Sequence, residues 1–65
     1  MKRYSPKKVI KILLENGWIE KRIRGIHHMF VKEGEEKIVT VSISKNPIPI
    51  GTLKNIERQA NIQFE

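Results

Sequence analysis

The apolar residues change their spacing twice along the chain, and those two changes fix the order of its elements. Val9, Ile10, Leu13 and Leu14 recur at helical intervals. Ser5-Pro6 stands just ahead of them, a hydroxyl able to cap the first free amides followed by a residue suited to the first helical position. Asn16-Gly17 supplies a left-handed stop, so the spacing predicts a helix over residues 6–16, with Lys7, Lys8 and Lys11 opposite its apolar stripe. From Trp18 onward the pattern becomes that of strands, predicted over residues 18–24, 27–32 and 37–43. Gly25 and Gly34 mark the reversals, and connections this short join antiparallel neighbours.

After the third strand, Asn46-Pro47-Ile48-Pro49-Ile50 reads as a stiff surface connection, because its prolines cannot donate to a central ladder. Helical spacing then returns with Leu53, Ile56 and Ala60 on one side and Lys54 and Arg58 across from them, Thr52 or a residue just before it serving as the cap. The expected class is α+β: helix, three-stranded antiparallel sheet, helix, with both helices on one sheet face since neither buries its stripe alone. This is the layout of the double-stranded-RNA-binding fold, and residues 1–65 are expected to form one domain.

Size and charge narrow the function. A chain of 65 residues has little apolar content to spare for a deep small-molecule pocket. With no cysteine it has neither a disulfide nor a thiolate metal site, as expected of a protein in the cytoplasm. No apolar run approaches the roughly 20 residues that span a bilayer, and the basic start Met1-Lys2-Arg3 is not followed by a signal-peptide core. A net charge of +6 concentrates polyanions near the surface. The excess is one-sided: residues 1–32 hold nine Lys and Arg against two Glu, and residues 33–65 hold four against five. A solvated lysine-rich face would explain the abundance but not the placement, which favours a nucleic-acid face. Lys7 and Lys8 also sit in a first helical turn, where the helix dipole disfavours cations.

Few residues here support chemistry. The acids are scattered Glu with no Asp, the two histidines are adjacent, and no metal site is expected. Neither a hydrolase nucleophile with its partner base nor a glycine-rich phosphate loop is present. What remains is the segment 25–30, where a tight turn delivers an imidazole to the start of a strand near Arg22, Arg24 and Lys32. Histidine can exchange a proton with a ribose 2′-hydroxyl or a leaving oxygen, and RNA carries its own nucleophile. Adjacent strand residues point to opposite faces, so His27 and His28 do not act as a pair on one phosphate. Met29 and Val31 share the side of His27, Phe30 that of His28, and either side could be inward. On the residues alone, a strand histidine is more often structural or merely exposed than catalytic.

Ser5-Pro6, a helix ending in Asn16-Gly17-Trp18, Gly25-x-His27-His28-x-Phe30, Val39-Thr40-Val41 and Gly51-Thr52-Leu53-x-x-Ile56-x-Arg58-Gln59-Ala60 together resemble the HicA toxin family across nearly the whole chain. The resemblance implies a double-stranded-RNA-binding-like fold, cleavage of messenger RNA without metal or cofactor, and neutralisation by a HicB antitoxin. It implies His27 as the acid-base residue, although the family's Gly-Ser pair is here Gly25-Ile26. A second departure is Ser42-Ile43-Ser44-Lys45, where the family often continues with proline and a basic residue or histidine. On this reading Arg22, Arg24 and Lys32 lie near the phosphate, His28 is a further RNA contact, and Lys7, Lys8 and Lys11 guide the RNA backbone. The alternative is a noncatalytic RNA-binding module of the same fold.

Overall fold

A computed structural model of the chain describes residues 3–64, leaving Met1, Lys2 and Glu65, and with them most of the basic start, outside the described residues. Ser5 begins α1 (Pro6–Glu15) by accepting a hydrogen bond from the backbone N–H of Lys8 at 3.2 Å. Such caps contribute about 1 kcal/mol. Val9 and Leu13 are fully buried and Ile10 and Ile12 flank them, whereas Leu14 is 52% exposed. Each helical residue advances the wheel by about 100°, which carries Leu14 past the edge of the stripe centred on Val9 and Leu13. The helix stops at Asn16, whose backbone and side-chain amides both return to the Ile12 carbonyl, and Gly17 turns the chain at φ +90°. Lys8 sets its ammonium 5.4 Å from the Tyr4 ring centre, an attraction that offsets its poor position on the helix dipole.

Strands β1 (Ile19–Arg24), β2 (His27–Val31) and β3 (Val39–Ser42) form an antiparallel sheet in the order β1-β2-β3. Each is shorter than its sequence pattern. Trp18 sits before β1, fully buried, and Ile38 and Ile43 flank β3 without joining the strand. Lys21 is an extra residue in β1: Glu20 faces Phe30 and Arg22 faces Met29, so a bulge lies between them.

Helix α2 (Ile50–Ala60) begins earlier than expected, with Pro49 in the capping position and no side-chain cap, so Thr52 is not its cap. Pro49 replaces the missing hydroxyl by geometry, entering the helix with its φ already restricted. The preceding connection is not wholly a surface segment either. Ile48 is buried, and its N–H bonds the Tyr4 carbonyl at 2.8 Å, pinning the connection to the start of the chain. Leu53, Ile56 and Ala60 from α2 join Val9 and Leu13 from α1 over Phe30, Val39 and Val41 of the sheet. Those sheet residues all belong to one face, so both helices cover that face and leave the other open. Tyr4 and Phe64 close the cluster with ring centres 5.1 Å apart.

Candidate functional site

Phe30 decides which side of the sheet faces inward. It is fully buried under the helices, and strand alternation then turns Met29, Val31 and His27 to the open face. The strand register arranges that face in three rows. Arg24, His27 and Ser42 stand opposite one another at the turn end, Arg22, Met29 and Thr40 in the middle, and Ile19 and Val31 at the far end. The covered face carries Ile23, His28 and Val41, then Glu20, Phe30 and Val39.

The row that holds His27 is built by the β1–β2 turn. Arg24 and His27 pair directly, leaving Gly25 and Ile26 as a two-residue loop with positive φ at Gly25 only. That sign pattern is the one a II′ hairpin turn requires, and glycine meets it without steric cost. A Cβ at Gly25 would touch nothing within 4 Å, so the constraint is conformational rather than spatial. The Ile43 N–H bonds the Ile26 carbonyl at 2.8 Å, which ties β3 to the turn. This alignment brings Ser42 Oγ to 3.0 Å from His27 Nδ1. With Nδ1 engaged by the hydroxyl, Nε2 is the ring nitrogen left for a ligand, on an exposed residue beside the Arg24 strand position.

The sequence-predicted residues divide between the two sides. His27, Arg24 and Arg22 come together on the open face. His28 lies on the covered side, half-buried, with Nδ1 2.5 Å from Glu20 Oε1. Lys32 continues the covered-side alternation of β2 and packs beside Gly17, where a Cβ would come within 3.4 Å of its Cε. Five residue steps along an extended chain separate it from His27, about 16 Å, and it lies just past the far end of β2. Lys7, Lys8 and Lys11 are exposed on α1, in the helix layer, across the sheet from His27.

Two features of this face are not visible in the sequence pattern. Ser42 belongs to it through a cross-strand register that the loop between β2 and β3 conceals. A shallow apolar cleft, lined by Lys21, Arg22, Met29, Val31 and Ile38, depends on the bulge that places the adjacent Lys21 and Arg22 at its edge. Among the described residues, no three His, Cys, Asp or Glu side chains gather as metal ligands, and no helix is long and apolar enough to cross a membrane.

Comparison with curated protein sequences finds no match. The family described as HicA toxin of bacterial toxin-antitoxin matches residues 6–62, from the start of α1 to just beyond α2. The match covers every helix and strand that builds the two sheet faces, and the chain belongs to the HicA toxin family.

Proposed function

We propose that the chain is a toxin endoribonuclease that cleaves messenger RNA without a metal, using His27 on the open face of the sheet. The observation that carries this reading is the exposed His27 ring, held at Nδ1 by Ser42 Oγ at 3.0 Å, in the same row as Arg24. When Nδ1–H donates to the hydroxyl, Nε2 carries the lone pair and can take the proton of a ribose 2′-hydroxyl. The freed oxygen attacks the adjacent phosphorus, the O2′–P bond forms, and the P–O5′ bond breaks. The 5′-oxygen takes a proton from the imidazolium or from water. Arg24, next to His27, and Arg22, one row further along β1, supply positive charge for the phosphate as its charge grows.

One imidazole must serve both proton transfers, which suits the slow turnover of a growth-arresting enzyme. Ser42 acts as a positioning residue, holding the ring's orientation without touching the RNA. Lys7, Lys8 and Lys11 lie in the other layer and would meet only phosphates that wrap around the domain. A HicB-type antitoxin would neutralise the toxin by covering the open face. The test is growth arrest on expression together with decay of RNA by the purified protein, each compared with His27→Ala. Both should be lost in the variant, and arrest that survives it removes His27 from the mechanism. Ile26 in place of the family serine favours a second reading, a noncatalytic RNA-binding module, which salt-dependent binding without cleavage would select.

A further inference from the structure

The open face carries more apolar surface than a catalytic histidine needs. Ile19 and Ile38 are 64% and 53% exposed, and with the half-buried Met29 and Val31 they form an aliphatic patch that begins one row beyond that of His27. Clustered on one face rather than scattered, these side chains fit a ligand-binding surface. The cleft within this patch has an apolar floor of Met29, Val31 and Ile38 and a cationic edge of Lys21 and Arg22. The bulge in β1 is what gives the edge both cations, since strict alternation would send one of them to the other face.

A nucleotide has this same division, a flat base of low polarity on its faces joined to an anionic phosphate. Position points the same way. Met29 lies two residues beyond His27 on the same strand and face, roughly 6–7 Å away, the scale of one nucleotide step in an extended strand. We propose that this cleft is a base-binding subsite for the nucleotide next to the cleaved phosphodiester, in single-stranded RNA. The base lies on the Met29 thioether and the Ile38 side chain, the Arg22 guanidinium plane stacks against it or pairs with its phosphate, and Lys21 meets the next phosphate. Aromatic stacking plays no part, because Tyr4, Trp18, Phe30 and Phe64 are all buried. An aliphatic and guanidinium subsite accepts any base face, so it sets the register of the strand more than its sequence. An acidic protein segment could also meet cations and isoleucines. The shared strand and face with His27 favour the RNA.

This inference rests on the nuclease reading, and the experiment separates the two. His27→Ala protein, which should bind without cutting, is titrated with a short single-stranded oligoribonucleotide and with the same oligomer carrying one abasic ribose at successive positions. Abasic substitution at one register should weaken binding by about tenfold. The same protein carrying Met29→Ser and Ile38→Ser should lose that discrimination while keeping its salt-dependent affinity for the intact backbone. Circular dichroism should show that the substitutions, at half-buried Met29 and exposed Ile38, leave the fold in place. Equal binding of intact and abasic oligomers overturns the subsite, even if His27-dependent cleavage by the unsubstituted protein upholds the nuclease. Discrimination that survives Met29→Ser with Ile38→Ser also overturns it. If those substitutions abolish antitoxin binding and leave base discrimination untouched, the cleft belongs to the protein partner and the proposal falls.

Discussion

Phe30 and Met29 are neighbours in β2, yet one is sealed beneath the helix layer and the other lies in an open cleft with a cationic edge. The same contrast separates His28, tied to Glu20 on the covered side, from His27, exposed beside Arg24 and Ser42. A single strand thus divides the work of the molecule by alternation. One set of its side chains holds the helices, and the other set lies on the open face. Stability and activity should therefore respond to different residues, and substitutions in adjacent positions can test whether they do.

The largest contrast should come from the middle of β2. Phe30→Ala removes a fully buried ring and should lower stability by about 3–5 kcal/mol, enough to unfold much of a domain of this size. Met29→Ala, one residue away, should cost below about 1 kcal/mol. Urea denaturation followed by circular dichroism measures both. Similar losses for the two would mean that the strand does not separate the core from the open face.

Within the open face, Ser42→Ala should keep the fold and reduce kcat for RNA cleavage about tenfold, near 1.4 kcal/mol, with KM little changed. Ser42→Thr should recover most of the loss, since it keeps the hydroxyl and suits a strand. A change in KM alone would make Ser42 an RNA contact rather than the holder of the imidazole. Ser5→Ala, remote from both faces, should lower stability by about 1 kcal/mol through the lost cap and leave kcat unchanged. A fall in kcat would show that the helix layer and the open face are coupled.

Much of the covered side was legible in the sequence, because periodicity and caps are local signals. Val9 with Leu13, and Leu53 with Ile56 and Ala60, announced the two stripes that meet the sheet. The limits were local too: Leu14 satisfies a helical interval yet falls outside the stripe, and Pro49 rather than Thr52 occupies the cap position of α2. Alternation in β2 separated His27 from His28 but not inward from outward, since both sets contain apolar residues. That choice is made by Phe30 packing on residues far along the chain. The hydrogen bond between His27 and Ser42 and the joint placement of Lys21 and Arg22 are products of register and of a bulge, and no short segment encodes either. Lys32 is close to His27 in number yet lies beyond the other end of β2, beside Gly17.

The two adjacent histidines give the most direct test. RNA cleavage by His27→Ala and His28→Ala should be measured side by side on proteins shown to be folded. Loss of the acid-base group should slow cleavage by about 10²–10⁴-fold in His27→Ala. His28→Ala should cleave at close to the unsubstituted rate, giving up only a partly exposed pair with Glu20 worth up to about 1 kcal/mol of stability. Cleavage that persists in His27→Ala, or that disappears with His28 instead, would contradict the assignment of the open face as the site of chemistry.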